Sequence, residues 1–477
     1  MARVWSWVLS LFWRWMRGGS ALLWPRLPPA PDQARCSMPW LESLSPVRME
    51  RVALVAPEPS SRGMLVEVAR RGAVELDLPY IPGTGPGELD QAVDSAIVSG
   101  PIAGLVGWAP RRGLPELAAT LAGLGAAVVP LARPRGVQPP TLLTAAGQSR
   151  NSRVLVDTYG TIPYSDVDPS PLAALAYVLM FGMMFGDVGQ GALLLLAGLL
   201  LRSGRVRRLE KLRRIWLFVA GAGLASMAFG VLYGEAFGPT GLVPVLWLEP
   251  LSSPIPLLLA ALVFGAALLA GAYVLGTINR VREGGWVYAL YARSGLAGSM
   301  LFVAVWLLVW GLTASIAPLV PVAAVLALLA LALIFIGLFV EAGGGGTGVI
   351  QALVELLDTV IRLGSNMVSF ARLAAFGLMH AALMMVVWNG TMTLWVPGWR
   401  AVAAIFVFVL GNALAFALEA LVAAIQALRL EYYELFSRIF QSEGRPFHPW
   451  APDLSMTSLH EASTRTHSDQ LLRKASP

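Results

Sequence analysis

One arginine lies in the middle of a long apolar stretch, in the segment SFARLAAFGLMHAAL. From Leu363 to Trp399, Arg372 is the only side chain with a permanent charge, and His380 follows about two helical turns later. An isolated arginine at the centre of a bilayer costs from ~2.5 to more than 10 kcal/mol, so such residues usually face protein or water and have a function. Arg372 is therefore the first candidate for chemistry in this chain.

The next apolar segment along the chain has its own isolated charge. Glu419 is the only charged residue from Ala401 to Leu428, Gln426 follows seven residues later on the same helical face, and Arg429 lies within one further turn. Consecutive spans joined by a short loop are antiparallel neighbours. The two helices are therefore expected to line one polar seam with five side chains: Arg372, His380, Glu419, Gln426 and Arg429.

Structural roles compete with this functional interpretation. Arg372 and Glu419 form, in one alternative, a buried ion pair that only joins two helices. His380 is as compatible with a packing role as with a proton relay. Asp358, about four turns before Arg372, is either a solvated helix end or an acid at a channel mouth. Three further acids lie at predicted span ends, where a solvated boundary charge is the default: Asp187, Glu235 and Glu341.

The composition is that of a membrane protein. Of the 477 residues, 56% are hydrophobic and only 13% are charged, which excludes an ordinary soluble protein. The net charge of +6 does not indicate nucleic-acid binding, because the arginines lie mostly beside apolar segments and no basic face with interleaved aromatic residues is present. A single cysteine, Cys36, excludes a disulfide framework and a cysteine-based metal site.

The apolar segments predict eight transmembrane helices, of which the last two are long and tilted. The segments run over residues 171–201, 215–237, 254–279, 287–313, 317–340, 350–394 and 401–430. The first segment is too long for one crossing, because its 31 residues would extend ~46 Å as a helix. We expect it to divide at the glycine-rich turn between Gly186 and Gly191.

The distribution of positive charge supports this number and predicts the orientation. The loop RSGRVRRLEKLRR has seven basic residues and is expected in the cytoplasm, whereas GPTGLVPVLWLEPLSSP has none and is expected outside. The next two loops continue the alternation. An even number of spans places both termini in the cytoplasm of a multi-pass protein.

Four regions follow from these patterns. Residues 1–48, rich in Trp and Arg, are either an amphipathic extension or the product of an upstream start, with Met38 or Met49 as the alternative start. Residues 49–165 contain two strand–helix–strand units and predict a small cytoplasmic α/β domain without a phosphate-binding glycine pattern. Residues 166–440 form the membrane domain, and residues 441–477 form a cytoplasmic tail that we expect to be largely disordered.

Four segments of the chain carry distinctive motifs: FGMMFGDVGQG, GVLYGEAFG, SFARLAAFGLMHAAL and LEALVAAIQALRLEYYELFSRIFQSEGRPFHPWAP. With them, the sequence from Met49 to Pro452 resembles the membrane-embedded a subunit, or subunit I, of V-type and archaeal-type rotary ATPases. The first two are similar to motifs of that family, the third to the segment with its essential arginine, and the last to its final helix and exit. The resemblance implies a mainly α-helical membrane fold preceded by a small α/β domain.

The resemblance also implies a function. Such a subunit is a stator with two offset half-channels that face a rotating proteolipid ring, and it translocates protons or Na⁺ without a catalytic site or cofactor of its own. Arg372 matches the essential arginine, and Asp358 falls where the family has an acid in the cytoplasmic half-channel. Glu419, Gln426, Arg429 and His380 would line the outer half-channel or support the arginine, while Asp187 and Glu235 would be structural or at a channel end.

The implied partners are the proteolipid ring, the peripheral-stalk subunits, a central-stalk cap subunit and the lipid bilayer, in a prokaryotic inner membrane. One departure concerns the arm between the two lobes of the cytoplasmic domain, which is normally a long coiled coil and is here only YIPGTGPGELDQAVDSAIVSG. An alternative is therefore a membrane scaffold or assembly protein of this family without ion translocation. A free-standing secondary transporter is disfavoured, because the sequence shows no internal repeat.

Overall fold

The computed structural model describes residues 45–78, 88–134, 137–143, 154–205, 207–440 and 444–452. Three features of the sequence lie wholly or partly outside these residues: the N-terminal extension, the first part of the short arm YIPGTGPGELDQAVDSAIVSG, and most of the tail that we expect to be disordered. Within the described part, a small sheet domain precedes a long series of apolar helices, which confirms the predicted fold class.

The sheet domain has five strands, and every pairing is antiparallel. The strands are β1 Met49–Pro57, β2 Glu75–Leu76, β3 Ile97–Ser99, β4 Ile102–Pro110 and β5 Ala127–Leu131. Their order is β2-β4-β1-β5, with β3 paired to β4. Since β4 lies between β1 and β2, the first strand–helix–strand unit is a split β-α-β motif.

Alternation along β1 explains which face of the sheet is covered. Val52, Leu54 and Ala56 are buried on one face of the strand, as expected for side chains two residues apart. They pack with apolar residues of the helices, such as Leu65 and Leu117. The helices of this domain are α1 Ser61–Arg71, α2 Glu88–Asp94 and α3 Leu114–Ala122.

The rest of the described chain is helical. A short helix, α4 Val154–Tyr159, leads into the apolar region. The apolar helices are α5 Ser170–Met184, α6 Val188–Ser203, α7 Trp216–Tyr233, α8 Pro254–Tyr291, α9 Leu296–Thr313, α10 Leu319–Glu341, α11 Gly345–Ser369, α12 Ala371–Leu394 and α13 Trp399–Leu430. A π-helical turn, Glu431–Phe436, continues α13.

Six stretches of the described chain are long and apolar enough to cross a bilayer, and two shorter apolar helices precede them. The chain is therefore a multi-pass membrane protein. The number of eight spans stays a prediction, because α5 and α6 have only 15 and 16 residues.

The first apolar segment divides at the predicted turn. Helix α5 ends at Met184, and Asp187 begins α6 as its N-cap residue. Close packing requires small residues here, because a Cβ added to Gly198 of α6 would lie 2.5 Å from the backbone nitrogen of Ala220 in α7. Such contacts between small residues allow helix backbones to approach closely in membranes.

The segment with Arg372 is longer than predicted and is interrupted. Helical structure extends over 50 residues from Gly345 to Leu394, far more than one crossing needs, with a break at Phe370. The Phe370 side chain is fully buried. Arg372 consequently lies in the first turn of α12, close to the break, rather than in the middle of one long helix.

Candidate functional site

His380 and Glu419 form the closest polar contact between the last two apolar helices. The Nδ1 atom of His380 on α12 lies 2.5 Å from Oε2 of Glu419 on α13. Both side chains are buried, with 2% and 7% exposure. The alternative in which Glu419 pairs with Arg372 is therefore wrong, since the carboxylate contacts the imidazole instead.

Two acids from the first part of the helical region lie on the other side of the imidazole. His380 Nε2 is 3.9 Å from Oε2 of Glu235, which follows α7. Asp187, at the start of α6, places a carboxylate oxygen within 4.8 Å of a ring nitrogen of His380 and a carboxylate oxygen of Glu235. We name these four side chains the His380 cluster: Asp187, Glu235, His380 and Glu419.

The His380 cluster is buried and incompletely hydrogen-bonded. His380 Nε2, Glu235 Oε2 and Glu419 Oε1 have no hydrogen-bond partner among the residues that the structure describes. Asp187, in contrast, accepts from the Gln190 N–H at 2.8 Å and from the Gly238 N–H at 3.0 Å. Because buried polar atoms normally have partners, the three free atoms indicate a place for protons, water or an ion.

Polar contacts continue from the cluster along α6 and α13. The Gln190 side chain donates to Oδ1 of Asn412 at 3.3 Å and to the sulfur of Met384 at 3.1 Å. The Phe185 ring lies 5.0 Å from the His380 ring, between centroids. Helices α6, α12 and α13, and the residue that follows α5, therefore all contribute side chains to this region.

Arg372 belongs to a second group of charges. Eight residues of helix, about 12 Å, separate it from His380, so the expected single seam is divided into two parts. Arg372 is half-buried, and its Nη1 atom is buried without a hydrogen-bond partner within the described ranges. The charged groups that act on it most strongly are Arg429 and Glu434.

Glu434 is a member of this second group that sequence reasoning missed. Its carboxylate is hydrogen-bonded to Ser369, and the amide of Asn366 donates to its Oε2 atom at 3.0 Å in the amide orientation that satisfies both groups. The same amide accepts from Arg438 at 3.1 Å. Glu434 lies in the π-helical turn after α13, five residues beyond Arg429.

Asp358 is apart from both groups. It accepts from Nε of Arg362 at 2.6 Å, one turn along α11, and both side chains are substantially exposed. Gln426 lies on α13 with its Oε1 atom buried and without a partner in the described part of the chain.

A helical repeat connects Asp358 to the Arg372 group. Polar residues recur every three or four positions along α11 and end next to the arginine: Gln351, Glu355, Asp358, Arg362, Asn366 and Ser369. This spacing was available from the sequence and would have identified Asn366 and Ser369.

The fold and the site define a class: a multi-pass membrane protein with ionisable groups held inside its apolar helices. Residues 103–240 match a family model described as the V-type ATPase 116kDa subunit family. The A-type ATP synthase subunit I of Thermococcus kodakarensis is 27% identical over 381 residues, which cover 74% of this chain and 55% of that protein. The Aeropyrum pernix subunit I is 31% identical over 350 residues, covering 62% of this chain and 49% of that protein.

These matches support a V/A-type ATPase subunit a/I. The resemblance inferred from the motifs is thereby confirmed. The chain spans about half the length of the curated relatives it matches, and its small N-terminal domain is consistent with that difference.

Proposed function

We propose that this chain is the stator subunit of a rotary ATPase and translocates protons, or Na⁺, between two half-channels against a proteolipid ring. One observation carries the proposal. Arg372 has a buried Nη1 atom without a hydrogen-bond partner among the described residues and experiences the charge of a second arginine, while Glu419 contacts His380. An unpaired guanidinium donor in an apolar helix is costly, which favours a carboxylate supplied by another subunit.

Arg372 would act by charge pairing. A ring carboxylate is neutral while it faces lipid, because a bare charge there is unfavourable. On reaching Arg372 it would ionise and release its proton to one half-channel. An arginine suits this role because it stays charged in protein environments where a lysine deprotonates more readily.

The His380 cluster would form the outer half-channel. Its carboxylates and imidazole have free lone pairs within a few ångströms of one another, which is the arrangement that a proton relay needs. Gln426 and Arg429 lie on the same helix as Glu419, toward Arg372, and would continue the path. Gln426 has no titratable group, so a proton would pass it through its hydrogen-bonding oxygen and water.

The polar face of α11 would form the cytoplasmic half-channel. Asp358 lies at its exposed part, and Asn366 and Ser369 lead to Glu434 beside Arg372. This assignment adds Glu434 to the residues predicted from the sequence.

In this proposal the chain lies in the cell membrane with both termini in the cytoplasm and has no catalytic site. Its partners are the proteolipid ring, the peripheral stalks and the central-stalk cap subunit. The alternative of a scaffold without ion translocation is favoured by one feature, the short connection between β2 and β4, which leaves a small domain for contact with stalks.

The deciding experiment is Arg372→Ala in the assembled complex, with ATP-driven acidification of membrane vesicles as the readout. Arg400→Ala is the matched control, because Arg400 is an exposed arginine at the start of α13. We expect acidification to be lost in the first variant and kept in the second, with both complexes assembled. Normal pumping by an assembled Arg372→Ala complex would refute the mechanism, and absence of pumping by the assembled wild type would favour the scaffold.

A further inference from the structure

We propose that Asp187, Glu235 and His380 form a binding site for a divalent transition-metal ion of the zinc type, and that the bound ion inhibits ion translocation. The metal site stands on geometry alone, whereas the inhibition rests on the function proposed above.

The ligand atoms are close enough to share one ion. One atom from each of the three residues lies within 4.8 Å of the others, and His380 Nε2 is 3.9 Å from Glu235 Oε2. Two ligands at 2.0–2.1 Å from a tetrahedral zinc ion are about 3.4 Å apart, so the His380–Glu235 pair must close by roughly 0.5 Å and Asp187 by up to about 1.4 Å. Both facing atoms are buried, and neither has a partner among the described residues.

The surroundings of His380 are those of a metal-binding histidine. Its Nδ1 atom contacts the Glu419 carboxylate at 2.5 Å. When Nδ1 donates its hydrogen to that carboxylate, the neutral ring presents the Nε2 lone pair to the cluster. A carboxylate on the far nitrogen of a ligating histidine fixes the ring and strengthens the metal bond.

The charges also favour a cation. The charged groups that act on Glu235 are one imidazole and three acids, namely His380, Asp187, Glu419 and Glu249. Backbone N–H groups hold the Asp187 carboxylate in place while leaving lone pairs on both of its oxygens. One imidazole with two carboxylates suits Zn²⁺ or Co²⁺ better than Mg²⁺ or Ca²⁺, which need an all-oxygen shell of six or more ligands.

Three protein ligands leave a fourth position for water, so the site is of the open type. A bound ion would occupy the lone pairs of His380 and Glu235 that the proposed proton path uses. Zinc is therefore expected to block translocation without affecting nucleotide binding elsewhere in the complex.

The test measures metal binding and pumping separately. The complex is stripped with a chelator and titrated with Zn²⁺, and X-ray absorption at the zinc edge reports the ligands. Glu235→Gln and His380→Gln remove ligands, and Glu419→Gln removes the carboxylate behind the histidine. Glu341→Gln is the control, because Glu341 is an exposed acid at the end of α10.

We expect one zinc ion per chain with a single imidazole ligand in the wild type and in Glu341→Gln. Affinity should fall 10- to 100-fold in Glu419→Gln and at least as much in the two ligand variants. Zinc binding that is absent in the wild type, or equal in the wild type, Glu235→Gln and His380→Gln, would overturn the site. If a ligand variant does not assemble, the absorption spectrum of the wild type still shows whether zinc is bound with a single imidazole ligand.

Pumping distinguishes the two proposals. Binding as expected together with zinc-inhibited acidification supports both. Binding without inhibition keeps the metal site and contradicts the role of the His380 cluster in the ion path. Normal acidification by Arg372→Ala contradicts the translocation mechanism and leaves the binding result unaffected.

Discussion

Replacement of Asp187 by alanine should destabilise the helical region, and the two hydrogen bonds that the Asp187 carboxylate accepts determine how much. Asp187 is fully buried, and each of its carboxylate oxygens accepts one backbone hydrogen bond. The bond from Gln190 caps the N-terminus of α6, and loss of such a cap costs about 0.5–2 kcal/mol. The bond from Gly238 satisfies a second buried N–H, whose isolation costs about 1–3 kcal/mol. The expected loss of unfolding free energy is therefore about 1.5–5 kcal/mol.

Asp187→Asn separates the structural contribution from the charge. Asparagine is as good an N-cap as aspartate, so the bond from Gln190 should persist. Its amide group supplies only one acceptor oxygen, so the Gly238 N–H loses its partner. The expected cost is about 1–3 kcal/mol, clearly smaller than for alanine.

The measurement is reversible unfolding of the purified protein in mixed micelles, followed by tryptophan fluorescence. Glu249→Ala is the control and should lie within about 0.5 kcal/mol of the wild type, since surface substitutions away from special contacts have small effects. An Asp187→Ala protein as stable as this control would refute the capping role. If a folded Asp187→Asn complex pumps normally, the residue is structural, whereas loss of pumping in that folded complex assigns its charge to the ion path.

Two further substitutions test the packing and the electrostatics outside the His380 cluster. Gly198→Leu should destabilise the α6–α7 contact by about 1–3 kcal/mol or more, because the side chain would meet the backbone of Ala220. Gly364→Ala is the control. Its added Cβ would have no atom nearby, so this variant should be as stable as the wild type or more stable in the same unfolding assay. Burial raises the pKa of Asp166 above its ordinary value of 3.8, so the folded state holds the proton more tightly than the unfolded state does. The contribution of Asp166 to stability therefore falls as the pH rises from 3.8 through the raised pKa. The stability of Asp166→Asn relative to the wild type should therefore increase over that range in pH-dependent unfolding, and a constant difference would contradict the raised pKa.

The sequence predicted the features that depend on local pattern. The glycine-rich turn before α6 follows from the excess length of the first apolar segment. The pairing of α12 with α13 follows from their short connection, and it correctly places His380 near Glu419. The small α/β domain follows from alternation in β1 and β4, although the strand order β2-β4-β1-β5 depends on long-range pairing that no local pattern contains.

Other features depend on helix rotation and on contacts between distant segments. Glu235 lies 145 residues before His380, at the end of a span, where a solvated charge is the default expectation. Only the tertiary contact between the loop that follows α7 and helix α12 turns it into a buried neighbour of the imidazole. The break at Phe370 was also not predicted, because the sequence around it contains no proline and the hydrophobic segment continues on both sides.

The division of the polar residues into two groups explains why an arginine is retained in an apolar helix. If Glu419 were paired with Arg372, the guanidinium charge would be neutralised within the chain and would attract no incoming carboxylate. Glu419 instead bonds to His380, about 12 Å further along the helix. Among the described residues, the charged groups that act on Arg372 are Arg429 and Glu434, and Glu434 is itself influenced by three arginines, so positive charge remains in excess. In the proposed mechanism this excess is the property that ionises a passing carboxylate, and the chain maintains it by engaging its own membrane-embedded glutamate elsewhere.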